Sequence, residues 1–235
     1  MRPGRRGRAT GRSPVGENSI SSVRGDFLAA ARSVAQLLRE PEVAEGWGAP
    51  SSLPELTVGG LAGHLALQVL IIPRALARPV PREPTISLLE HYSRVGWIGT
   101  GLDEEINVRI RKEGEAAATD GPEALVARVD MAVIELTSLL TSGTAVAKDR
   151  PVRIPLWGPW SMMLDNLLIT RTMEIAVHSD DLAVSVGLPT PTLPPSAIDT
   201  VVDLLSRLAV RRHGATAVLR ALSREERAPG TIAAF

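Results

Sequence analysis

The sequence predicts an all-α fold, a bundle of four main helices with additions. Apolar residues recur at helical spacing through successive long windows. Helix-starting and helix-stopping residues bracket most of those windows, and few segments alternate in the manner of strands.

Residues 1–21 carry Arg2, Arg5, Arg6, Arg8 and Arg12 among Gly, Pro and Ser, with almost nothing apolar. Such a segment cannot bury enough surface to order itself, so a disordered Arg-rich extension is expected there. A single helical domain is expected over 22–235. Its first helix starts at Ser22, with Phe27, Ala30, Ala31, Val34, Leu37 and Leu38 on one face, and stops before Pro41. Residues 47–56 read as a loop. Thr57 reads as the N-cap of a second helix through Leu61, His64, Leu65, Gln68 and Ile71, which Pro73 ends or kinks.

A Pro-rich stretch, 78–84, leads to a third helix over about 87–117, with a break placed near Gly99 and Gly101. Pro122 suits the first turn of a fourth helix, running to about Leu140. After an irregular link over 141–159, a further helix is expected from Trp160 to about Val186, closed by Gly187 and Pro189. Residues 195–213 form the last long helix, with Gly214 after it, and 215–235 hold one more short helix.

Size and charge narrow the functional classes. At 235 residues and 25.0 kDa the chain can bury one sizeable core. With net charge zero and a pI near 6.9, no global field draws it to nucleic acid or to acidic membranes. The absence of cysteine excludes disulfides, thiolate ligands and a protein-borne thiol nucleophile, and it fits a cytoplasmic protein. The oiliest run, 65–72, is interrupted by Gln68 and closed by Pro73, well short of the ~20 residues a membrane helix needs. Neither nucleic acid nor membrane is therefore expected among its partners.

The expected helix over 160–186 carries the chemistry. Arg171, Glu174, His178 and Asp181 fall within an arc of about 80° on it. Leu164, Leu167, Ile175 and Leu182 flank that arc, while Ile169, Met173 and Ala176 cover the far side. A helix apolar nearly all round is normally buried. Four ionisable groups in one file would each cost several kcal/mol, on the order given by desolvation, unless paired or metal-bound.

Glu174 and His178 stand one turn apart, sound geometry for two ligands of one cation. His64 lies on the apolar face of the second helix, so its ring should also point inward. Two histidines and a carboxylate make a common catalytic zinc set with a position left for water or substrate. Arg171 and Asp181 would then orient ligands or balance charge. Spacing alone leaves other readings open: a helix-surface Glu–His pair, a core histidine bonded to a carbonyl, or a plain Arg171–Glu174 ion pair. Trp157 and Trp160, around Gly158-Pro159, suit a pocket mouth or loop packing. His91 and Tyr92 could offer a proton, and His213 suits the C-terminal end of a helix dipole.

Three stretches carry a family resemblance. They are residues 157–187, with the core Arg171-x-x-Glu174-x-x-x-His178-x-x-Asp181-Leu182-Ala183; Leu53-Pro-Glu-Leu-Thr-Val-Gly-Gly-Leu-Ala-Gly-His64; and the ending from Ala217 to Phe235. From about Val23 onward the chain resembles the N-terminal domain of mycothiol-dependent maleylpyruvate isomerases. These are a branch of the DinB/YfiT-like superfamily of metal-binding helical bundles.

The resemblance implies a DinB-like four-helix bundle with additional C-terminal helices, holding a divalent metal, usually zinc, through His64, Glu174 and His178. It implies mycothiol as a thiol cosubstrate and a small electrophile as partner, in an isomerase or S-transferase. The metal would hold the thiol as thiolate, which adds to an electrophilic carbon; in an isomerase it leaves again after rotation, in a transferase it stays. The characterised isomerases carry a second, sterol-carrier-like domain, and none is expected within 22–235. The alternatives to be weighed are a non-catalytic metal-binding module and a hydrolase using metal-bound water.

Overall fold

The computed structural model describes residues 18–141 and 149–235. Within them are nine helices: α1 (Asn18–Leu37), α2 (Pro41–Glu45), α3 (Val58–Leu76), α4 (Leu88–Arg94), α5 (Glu105–Ala118), α6 (Pro122–Thr141), α7 (Leu164–Ser185), α8 (Pro195–His213) and α9 (Ala215–Ser223). Two short strands, β1 (Pro151–Val152) and β2 (Met162–Met163), pair antiparallel. The expected extension lies outside the described residues as far as residue 17.

The bundle proper is α1, α3, α6 and α7. α1 packs on α6 and α7, and α3 packs on the same two helices, so the four close around one core. Phe27, Leu61, Leu65, Leu125, Leu136, Leu164, Leu167 and Ile175 are buried there almost completely. The apolar face foreseen for α1 is the face it buries. Arg24 Nε donates to Asp165 Oδ1 at 2.9 Å, tying α1 to the start of α7 through a buried ion pair. α8 rests on α7 and α1, and α9 rests on α8.

α3 begins as the sequence implies, with Thr57 Oγ1 accepting from Gly60 N at 2.9 Å. Pro73 does not end it. The next turn buries Ala75 and Leu76, and that burial offsets the hydrogen bond the proline cannot donate. The helix is therefore longer than the oily run alone suggested. At 19 residues it is long and apolar enough to cross a membrane, but 72% of its most apolar 18 residues are buried inside the bundle.

The expected third helix divides. Ser87 caps α4, its Oγ accepting from Glu90 N, and residues 95–104 separate α4 from α5. Gly99 lies in that break with φ +74. α7 starts at Leu164 rather than Trp160. Ser161 donates its N–H to Pro84 O at 2.9 Å, and Met162 and Met163 pair with β1, so these residues are held extended. The short α2 was not foreseen; Pro41 opens it and Val43 is its buried anchor.

Glycines set the crossing of α3 and α5. A Cβ on Gly63 would lie 2.1 Å from Gly114 O, and one on Gly114 would lie 2.6 Å from Gly60 O and 3.2 Å from His64 Cβ. The two backbones therefore meet directly beside His64. Gly63→Ala should cost about 1–3 kcal/mol in chemical denaturation, the range for overpacking. Gly25→Ala is the control: nothing lies within 4 Å of a Cβ there, so the change should be neutral or stabilising by up to about 1 kcal/mol. An unchanged midpoint for Gly63→Ala would contradict the close crossing.

Candidate metal centre

Local sequence builds α7 for an interior position. Its apolar residues cover most of its circumference, and Thr170 and Thr172 donate to the helix's own carbonyls, Leu167 O at 2.7 Å and Leu168 O at 2.9 Å. These hydroxyls add no unmet polar groups. The ionisable stripe is the exception to this pattern. Side-chain exposure rises along it, from 9% at Arg171 through 14% at Glu174 and 18% at His178 to 24% at Asp181. The stripe thus runs from the dry interior toward an opening.

The structure brings the predicted ligands together. His64 on α3, and Glu174 and His178 on α7, each offer one ligand atom, and these atoms lie within 4.8 Å of one another, a grouping that could hold a metal ion. The rings of His64 and His178 meet edge to face, centroids 4.7 Å apart at 85°. His178 uses both nitrogens: Nδ1 is 3.0 Å from Asp181 Oδ2 and Nε2 is 3.2 Å from Glu174 Oε2. Asp181 therefore backs the histidine from behind, as carboxylates commonly do for ligating imidazoles.

Arg171 is held on several sides. Its Nη1 donates to Gln68 Oε1, its Nε donates to Thr170 Oγ1 at 3.0 Å, and its guanidinium stacks over Trp157, 4.7 Å from the ring centroid. Its Nη2 stands 4.0 Å from Glu174 Oε1, the outer limit of an ion pair. Gln68 in turn donates from Nε2 to His64 O at 2.8 Å. One glutamine thus joins His64 of α3 to the arginine of α7.

Electrostatics divides the two histidines. Burial, then the charge of His178, lowers His64 to about 4. Burial would also lower His178, but the hydrogen bonds to Asp181 and Glu174 outweigh it and hold the ring up at about 9. Burial alone would raise Glu174; the hydrogen bond from His178 and the charges of Arg171 and both histidines bring it down to about 2. At neutral pH the imidazolium of His178 accordingly lies between two carboxylates, where a proton on Nε2 occupies the side facing Glu174.

The neighbouring wall carries residues whose aim spacing could not settle. His91 and Tyr92, both on α4, are buried. Trp160 Nε1 donates to His91 Nδ1 at 3.3 Å, and the His91 ring lies 4.5 Å from Trp157. Trp160 is buried and Trp157 is part-buried; the latter lies between His91 and Arg171. His213 lies apart from the centre, its Nε2 donating to Ala233 O at 2.8 Å across the C-terminal segment. Gln68 and the Trp157–Arg171 stack were missed as site features. The signal available for Gln68 was its place one turn after His64 on the same face.

A family model described as "Mycothiol maleylpyruvate isomerase N-terminal domain" matches residues 27–183, well over half of the chain. The match includes His64, Arg171, Glu174, His178 and Asp181 and stops before α8. No curated protein and no solved structure matches the chain.

Proposed function

The chain belongs to the mycothiol maleylpyruvate isomerase N-terminal domain family, and on that premise we propose that it is a metal- and thiol-dependent isomerase or S-transferase acting on a small electrophile. His64, Glu174 and His178 are the proposed ligands, zinc the proposed metal, mycothiol the proposed thiol and the cytoplasm the proposed site of action. The observation that carries this reading is the convergence of those three donor atoms within 4.8 Å. Two imidazoles and a carboxylate suit zinc, and three protein ligands leave a position for another molecule.

The surrounding charges support the same assignment. Glu174, Asp181, Arg171 and the imidazolium of His178 sum to zero. Exchanging the His178 proton for a divalent cation leaves one net positive charge, which one thiolate neutralises. Bound there, the metal supplies a Lewis acid that stabilises a thiol as its anion, well below the ordinary thiol pKa of ~8.5. The chain's own residues do the rest. Asp181 holds His178 by Nδ1 and leaves Nε2 for ligation, Arg171 stays fixed on Gln68, Thr170 and Trp157, and the apolar flanks of α7 exclude water.

Metal binding should follow pH with a definite sign. In the metal-free protein His64 at about 4 and Glu174 at about 2 are already deprotonated at neutral pH, whereas His178 at about 9 is not. Binding near pH 7 should therefore release close to one proton. Affinity should rise about tenfold per pH unit toward pH 9 and then level off. Calorimetry in buffers of different ionisation enthalpy reads the proton count, and a count near zero would contradict the assignment of His178.

The functional test is incubation of zinc-loaded protein with mycothiol and a panel of electrophiles. Thiol-dependent cis–trans conversion or thioether formation is the expected result. Ester or amide cleavage without thiol would indicate a hydrolase instead, and no turnover would indicate a non-catalytic metal-binding module.

A further inference from the structure

Two rows of side chains run along the outer side of α8 at one-turn spacing. Ile198, Val202, Ser206 and Val210 form one, and Asp199, Asp203, Arg207 and Arg211 form the other beside it. The inner side is the packed one, where Val201, Leu204 and Leu208 are buried in one cluster with Met173 of α7. Of the outer rows only Ser206 is half-buried; the rest are exposed, Val202 to 55%. Five of the eleven exposed large hydrophobic side chains among the described residues lie on α8 and α9. One of these, Leu222, lines a groove with Leu205 and Ser206, so the apolar surface continues from the first row onto α9. Apolar side chains gathered in this way mark an association surface; scattered single ones do not.

The charged row reverses sign at its middle, and its form says what the surface meets. Asp203 and Arg207 stand mid-helix, beyond the end effect that favours acids in a first turn and bases in a last one. Arg207 Nε lies 3.0 Å from Asp203 Oδ2, and both side chains remain about 60% exposed. Arg211 uses Nη1 for Leu89 O at 3.1 Å and has four further N–H groups to offer. When a second α8 lies antiparallel to the first, about a two-fold axis between Leu204 and Leu205, each acid stands level with a base. Asp199 comes opposite Arg211 of the other copy, and Asp203 opposite Arg207. In the neighbouring row Ile198 comes opposite Val210, and Val202 opposite Ser206. The two rows agree on the axis to within one residue, about 1.5 Å along the helix. A parallel alignment would set like charges together.

We propose that the protein forms a two-fold dimer through the outer face of α8, with the two copies of this helix antiparallel. A two-fold interface requires a surface complementary to itself, and a row that reverses sign about its centre meets that requirement. Met173 lies on the side of α7 away from Glu174 and His178, so α8 is seated there and the pairing does not use the proposed metal centre. α8 also lies beyond the residues that the family model matches.

Sedimentation velocity of the full chain over a range of concentrations tests this. Wild type should dimerise with a dissociation constant in the micromolar range. Asp199→Arg with Asp203→Arg makes the row wholly basic, and Arg207→Asp with Arg211→Asp makes it wholly acidic. Each double variant should self-associate more weakly by about tenfold or more, because like charges then meet at every level. Mixed in equal amounts, the two should form a heterodimer, and the chain carrying all four changes should pair with itself again. Val202→Arg leaves the Arg211–Leu89 bond and the Asp203–Arg207 pair in place and should weaken self-association by a similar factor.

A wild type that stays monomeric at every concentration would overturn the proposal. So would self-association unchanged in Val202→Arg or in both double variants, or double variants with wild-type melting temperatures that do not associate on mixing. All of these are read on metal-free protein, so the dimer and the metal centre stand or fall separately.

Discussion

His178→Ala should leave the purified protein without stoichiometric metal. The histidine supplies the only one of the three proposed ligands that both carboxylates of the stripe address, through Nδ1 to Asp181 and Nε2 to Glu174. Removing it deletes a donor and detaches Asp181 from the cluster in one step. His64→Ala should fail in the same way, from the other helix. Asp181→Asn should keep the ligand set and weaken metal binding by about 10–100-fold, the usual effect of losing a carboxylate behind a ligating imidazole. Elemental analysis and competition with a chelating indicator distinguish these outcomes. One metal per chain in His178→Ala would remove this histidine from the ligand set.

Arg171→Met should produce the largest stability loss. The arginine is buried, and its positive charge together with that of the His178 imidazolium balances Glu174 and Asp181. Methionine keeps much of the stem's packing, so the cost is chiefly the unbalanced charge, together with the orphaned amide oxygen of Gln68 and the bare face of Trp157. Breaking a buried pair by removing one partner costs about 3–5 kcal/mol, and the metal-free variant should lose about that much in chemical denaturation. Zinc should restore more stability to the variant than to wild type, because a divalent cation beside Glu174 replaces the missing positive charge. A loss below about 1 kcal/mol, the level of an exposed pair, would show that Arg171 does not balance this cluster.

Much of the fold was readable from local signals. α1, α6 and α8 follow from apolar spacing with proline or glycine at their ends, and Thr57 caps α3 where a capping residue was expected. That Glu174 and His178 share a face was legible from their one-turn spacing; spacing left their grouping with His64 open, and the family resemblance pointed to it. What stayed hidden depends on contacts distant in sequence. A break near Gly99 and Gly101 was expected, but its extent over 95–104, and with it where His91 and Tyr92 point, follows from no period within 87–117. The start of α7 is delayed by pairing with β1 and with Pro84. The Gln68–Arg171 bond and the Trp157–Arg171 stack exist only because α3 and the loop before α7 meet across the bundle. Pro73 was overweighted, since the burial that sustains the next turn is tertiary.

The most direct test of a single cation with a place for a thiol is X-ray absorption at the zinc edge, before and after adding mycothiol. The chain contains no cysteine, so a thiolate sulfur in the coordination sphere must come from the cosubstrate. Nitrogen and oxygen neighbours alone at first, joined by one sulfur at about 2.3 Å once mycothiol is present, is the outcome expected. A sphere that never gains sulfur, or a protein that retains no zinc, would contradict it.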